Sequence, residues 1–224
     1  MNKPTISINQ LAVFSQASLS RKKQILKQQI VPNKVLLPWY QKAKAAIRKY
    51  FHSVEDITPL LKAIEAIEKE ATPTKAWAKT NQTVSREALK KMMLMRIPRI
   101  LRDVQYEIVN ASSHSIEVAG VEIKAAPEII IKARINNKTI YGAIKIHISK
   151  SDPFDSKQME LVSTVLYQFL TRKVAHKDED VLPELCLCVD VFAGRIAGAD
   201  KSNWSSLMDQ VENICQEVSK LWAA

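Results

Sequence analysis

Two hydrophobic periods divide the chain. Through about residue 110 apolar residues recur every three to four positions, the spacing that lines one face of an α-helix, and beyond it they alternate or run continuously over strand lengths. Ser7 is placed to cap a short helix with Ile8, Leu11 and Ala12 inward, and Ser20 a second from Arg21 to Ile30 with Ile25, Leu26 and Ile30 as its stripe. Pro32 and Pro38 bracket a connector. A third helix is expected from Trp39 to Phe51 and a fourth from Ile57 to Glu70. The turn-rich stretch from Ala71 to Gln82 reads as a boundary between a helical region, 1–82, and a second region, 83–224. That second region opens with a helix capped by Ser85 and running through Met95, then a helical stretch to about Asn110.

Strands are expected near 115–125, 128–135 and 139–148, followed by a helix from Ser156 to Arg172 and an apolar strand, Leu185 to Phe192. Leu207, Val211, Ile214, Val218 and Leu221 then mark the last helix. The fold class is therefore α/β: a small mixed sheet of three antiparallel strands plus one parallel strand after a helical crossover, flanked by helices, with an all-α N-terminal region.

The second and third strands form a hairpin whose register can be read in advance. Asn136-Asn137 tolerates positive φ and suits a two-residue type I′ turn, so paired residue numbers sum to 273. Glu128 then lies across from Lys145, Ile130 from Ala143 and Lys132 from Tyr141 on one face, while the other face is nearly all apolar. The polar face carries an acid, a lysine and, two residues on, His147.

Charge adds a partner. The net charge is +10, and residues 1–54 hold ten Lys or Arg and no acid. Through residue 112 there are 20 basic and 8 acidic side chains; from 113 on there are 13 and 15. A basic segment beside a near-neutral one points to a polyanion, above all nucleic acid, with DNA favoured over RNA. The candidate contacts are Arg21, Lys22, Lys23 and Lys27 on the second helix and Lys42, Lys44, Arg48 and Lys49 on the third. The competing reading is a solvated surface. No apolar run approaches the roughly 18 residues that span a bilayer, so no membrane contact is expected and the protein is placed in the cytoplasm. Cys186, Cys188 and Cys215 read as reduced core residues. Trp39, Tyr40, Trp77, Trp204 and Trp222 are scattered, with no stacking platform for single strands in view.

The strand order, with Pro127-Glu128 on the second strand and Ala143-Ile144-Lys145 on the third, resembles the PD-(D/E)xK nuclease superfamily of restriction endonucleases, exonucleases and archaeal resolvases. Gly142 to His147 and Val189 to Gly194 are also similar to an uncharacterised bacterial group. The resemblance implies a divalent-metal-dependent phosphodiester hydrolase, in which Mg²⁺ or Mn²⁺ neutralises the anionic transition state and activates water. It implies Glu128 as metal ligand, Lys145 as catalytic cation and the Ile144 carbonyl as a further ligand. Ala143 departs from it, because the second carboxylate of the motif is a methyl group here. Glu160 on the following helix, His147, Asp103 and Glu107 are the candidates to replace it. The rival triplet Glu122-Ile123-Lys124 lacks a preceding proline–acid strand, and Glu128 with Lys145 also fits a plain cross-strand ion pair. Asp190, inside an apolar strand, reads as a satisfied strand-end acid. An active hydrolase, a catalytically degenerate DNA-binding or recruiting subunit with a protein partner or second copy, a helix-turn-helix regulator built on the first three helices, and a protein-interaction module all stand open.

Overall fold

A computed structural model describes residues 3–31, 39–71, 73–176, 179–200 and 202–223; the connector bracketed by Pro32 and Pro38 lies outside them. Among the described residues the order is β1 (Thr5–Ser7), α1 (Ile8–Gln16), α2 (Leu19–Ile30), α3 (Gln41–Tyr50), α4 (Thr58–Lys69), α5 (Ala76–Met93), α6 (Ile100–Asp103), β2 (Tyr106–Val109), β3 (Ser115–Val118), β4 (Val121–Lys124), β5 (Ile129–Ile135), β6 (Lys138–His147), α7 (Ser156–Lys173), β7 (Asp180–Asp190), β8 (Arg195–Gly198) and α8 (Trp204–Trp222). The chain is α/β. The described strands form a five-stranded sheet, β2-β5-β6-β7-β8, and a three-stranded one, β1-β4-β3.

The hairpin has the expected register. Asn136 and Asn137 sit at φ 49° and 64°, and Ile129 to Ile135 pair with Ile144 to Lys138 so that every pair sums to 273. β7 returns through α7 to lie parallel to β6. Gly142 permits that pairing, because a Cβ there would stand 2.4 Å from the Leu185 Cβ. β8 then folds back antiparallel on β7.

Alternation on the central strands splits the apolar side chains between two cores. Ile130, Ala143, Cys186 and Cys188 face α7, α1, α2, α8 and the small sheet. Ile129, Ile131, Ile144, Leu187 and Val189 face α3, α4 and α5. Both faces of β6 are therefore covered, which buries Lys145 and His147.

Several local expectations give way to tertiary contacts. Ser18, not Ser20, caps α2, its side chain accepting from the Arg21 amide at 3.4 Å. α5 begins at Ala76, so Ser85 lies buried mid-helix and the expected boundary at residue 82 falls inside the helix. The hydroxyls of Thr80 and Thr83 bond back to the carbonyls of Ala76 and Lys79, at 3.1 Å each, so these turn-favouring residues are accommodated within the helix. Each core draws residues from both sides of residue 82. The stretch expected to be helical to Asn110 holds only one turn, α6, before β2 joins the edge of the main sheet. Tyr106 fixes that strand by donating its hydroxyl to the Phe51 carbonyl at 2.6 Å. Displaced from that edge, β3 and β4 form their own hairpin, and β1 adds to β4 in parallel, so the N-terminal region is not all α.

Candidate functional site

Glu128 stands one residue before β5, its amide donating to the Ile144 carbonyl at 2.9 Å. The pairing continues across the hairpin to Lys145 on the same face. The Lys145 ammonium lies 3.4 Å from Glu128 Oε1 and donates to the Ala126 carbonyl at 2.5 Å. Glu128 Oε2 accepts from the Ile146 amide at 2.7 Å. From the other layer, α3 brings Lys44 onto Oε1 as well. One buried carboxylate thus meets two ammonium groups and a backbone amide.

Burial sets the electrostatics of this triad. Lys145 is held below the ordinary lysine range, chiefly because burial penalises its charge; Glu128 pulls the other way and Lys44 adds repulsion. Ala126, which anchors the ammonium, has φ 35°, a left-handed value that costs a residue with a Cβ about 1–2 kcal/mol. Its own amide is tied to the His114 carbonyl at 3.0 Å, so both ends of the strained unit are held.

His147 and Asp190 lie opposite one another on β6 and β7. The imidazole stacks on Phe154, centroids 3.6 Å apart at 7°, and its Nε2 is 2.8 Å from the Asp152 carbonyl, which requires the proton on that nitrogen. Asp190 is fully buried and accepts from the Phe154 amide at 2.6 Å and the Ala193 amide at 2.7 Å. It is the satisfied strand-end acid expected. Burial lowers the His147 pKa, more strongly than Asp190 and the Asp152 carbonyl raise it. The sign follows. The fold favours neutral imidazole, so its contribution is complete above the ordinary value of 6.5 and is lost as pH falls through the lower folded value. Melting temperature should drop as pH falls below about 6.5, and His147→Gln should flatten that segment of the curve; an unchanged segment would exclude His147 as the titrating group.

The other candidates do not join this cluster. Glu160 lies on α7 and makes no bond to Glu128, Lys145 or His147 among the described residues. Asp103 is exposed beside Arg99 at 3.8 Å, and Glu107, a strand residue on β2, faces Lys132 at 3.4 Å. Glu122 lies in the small sheet, where Ser115 donates to it at 2.8 Å and Thr5 at 3.3 Å. Cys186 and Cys188, fully buried, are held above the ordinary thiol range by burial, and Cys215 is pushed up to about 12, so all three stay protonated.

A divalent cation needs oxygen donors free to turn toward it. Both Glu128 oxygens and both Asp190 oxygens are engaged, His147 Nε2 carries a proton, and the Ile144 carbonyl already accepts the Glu128 amide. Ala143, where the motif's second acid would stand, is fully buried. Among the described residues no three His, Cys, Asp or Glu side chains converge. As arranged here, the described residues do not present a ready Mg²⁺ or Mn²⁺ site.

The eight candidate nucleic-acid contacts separate. Lys22 pairs with Glu217 at 2.7 Å and lies 5.0 Å from the Phe14 ring centroid, Lys42 pairs with Glu70, and Lys44 with Glu128. Arg21, Lys23 and Lys27 on α2 and Arg48 and Lys49 on α3 are exposed without an acidic partner among the described residues. α2 packs on one core and α3 on the other, so the two groups lie on opposite layers and the first three helices do not form one unit.

Sequence reasoning missed Lys44 as a member of the site and Asn9 of α1, whose amide donates to the Ile146 carbonyl at 3.4 Å. No local signal marks either, because both arrive through packing between layers. No helix among the described residues is long and apolar enough to cross a membrane. Compared with protein-family models and with curated proteins, the chain matches none.

Proposed function

We propose that the protein binds nucleic acid on a PD-(D/E)xK-like core that does not cut, acting as a binding or recruiting subunit. The observation that carries this reading is the state of Glu128, whose two oxygens are held by Lys44, Lys145 and the Ile146 amide while Ala143 supplies no second acid. Such a carboxylate serves as an internal counter-ion. The exposed cations Arg21, Lys23 and Lys27 supply the contact to phosphates, which accounts for the concentration of positive charge in the first half of the chain. A helix-turn-helix regulator finds no support in helices divided between two layers.

The test is binding and cleavage of labelled DNA and RNA, duplex and single-stranded, with Mg²⁺, Mn²⁺ or EDTA. Salt-sensitive binding without metal-dependent cutting is expected. Replacing Arg21, Lys23 and Lys27 with Ala should reduce the slope of log affinity against log salt by about 2–3, because each phosphate that a cation neutralises adds about 0.7–0.9 to it. Metal-dependent cutting that disappears in Lys145→Ala would overturn this reading in favour of an active hydrolase.

A further inference from the structure

We infer that Trp39, Tyr40 and Phe192 form a stacking platform for unpaired nucleic-acid bases, with Lys91 beside it for the phosphates. The inference rests on the nucleic-acid reading above and names the form of nucleic acid. It adds Phe192, which the sequence reading did not consider, to the neighbours Trp39 and Tyr40. Trp39 and Tyr40 lie just before α3, whereas Phe192 follows β7, yet the ring centroids of Trp39 and Tyr40 are 6.1 Å apart and those of Tyr40 and Phe192 also 6.1 Å. All three are partly exposed.

The rings meet at 53° and 63°, tilted and edge to face rather than stacked, and each ring keeps part of its surface exposed. That arrangement suits bases, each of which has a π face to offer whatever its sequence. Lys91 of α5 stands 6.0 Å from the Phe192 centroid. Lys150, at the same rim, is paired with Glu87 at 2.6 Å. Cations beside aromatic faces are the combination that single strands require, one for the backbone and the other for the bases.

The platform is also held in place. Tyr40 has φ 58°, a left-handed conformation, and its amide donates to Asn81 Oδ1 at 3.0 Å. Phe192 is fixed through the turn that Asp190 closes by accepting the Ala193 amide. A rigid aromatic surface loses little conformational freedom when a base stacks on it. It stands past the ends of the parallel strands β6 and β7, the rim where open α/β sheets bind ligands, close to His147 and Asp190.

The experiment is fluorescence anisotropy with labelled oligo-dT and a labelled DNA duplex, using the full chain and the variants Trp39→Ala, Phe192→Ala and Phe192→Trp, each checked by thermal melting. Each alanine variant should weaken oligo-dT binding about five- to a hundredfold, with duplex affinity held within about twofold, and Phe192→Trp should restore single-strand binding. Equal losses on both probes, unchanged oligo-dT affinity in the alanine variants, or failure of Phe192→Trp to restore it would remove the platform. So would a polyproline peptide binding the rings while oligo-dT affinity stays the same. If the unaltered protein binds neither probe at low salt, the nucleic-acid reading itself fails, a result distinct from loss of the platform alone.

Discussion

Glu128→Gln should destabilise the fold by about 3–5 kcal/mol at pH 7, the range for breaking one side of a buried ion pair. The amide keeps the volume and can still accept the Ile146 amide, so the substitution removes charge and little else. Lys44 is half-exposed and can turn to water, whereas Lys145 cannot, since its side chain is 9% exposed. Its ammonium would be left with the Ala126 carbonyl and no anion. Deprotonation sets the ceiling: from an ordinary value of 10.5, shedding the proton at pH 7 costs about 5 kcal/mol. The variant should then gain stability as pH rises toward 10.5, because the unfolded chain holds the proton that the fold disfavours. Urea unfolding at pH 7 and at alkaline pH measures both effects. Adding Lys145→Met should recover most of the loss, since burying neither charge is often as stable as burying both. A loss below about 1 kcal/mol would show water reaching Lys145.

Asp190→Ala should cost about 2–5 kcal/mol, because it leaves the buried Phe154 amide and the part-buried Ala193 amide without their acceptor, at roughly 1–3 kcal/mol for the first and somewhat less for the second. The consequence spreads along the turn. Phe154 is the residue stacked on His147, and the next residue, Asp155, caps α7 in a capping box with Gln158. Hydrogen exchange at the amides of residues 154 and 193 should accelerate in step with the loss in melting temperature. Unchanged protection at both amides would mean that another acceptor replaces the carboxylate. Asp190→Asn should be intermediate, since its one carbonyl oxygen can serve only one of two separated donors.

Local chemistry made part of this molecule legible. Two asparagines at positive φ place the whole hairpin in register, and that register alone puts Glu128 across from Lys145. Ser7 caps α1, and the spacing of Leu207, Val211 and Val218 gives the buried stripe of α8. These features depend on a few neighbouring residues and on periods of two or 3.6, which the sequence states directly.

Where local preference competes with distant contacts, the sequence by itself does not decide. Residues 106–109 have no turn of their own to fix them, and they become a strand because the edge of β5 offers hydrogen bonds and Tyr106 reaches Phe51. Residues 76–85 carry several residues that favour turns, and helix wins because α5 packs on α3 and α4. Composition shows that the first half is basic; only the packing shows that Lys22, Lys42 and Lys44 are matched to acids and that α2 and α3 lie on opposite layers.

The hairpin register, the parallel return of β7, the terminal helix and the surplus of cations are all legible from residue order, because each follows from local hydrogen bonding, periodicity, a helical crossover or a count of charges. That Lys44 meets Glu128, and that Phe192 joins Trp39 and Tyr40, emerges only from the packing. Lys44 and Glu128, like Tyr40 and Phe192, are far apart along the chain, and only burial of two cores against a common sheet brings them within reach of one another.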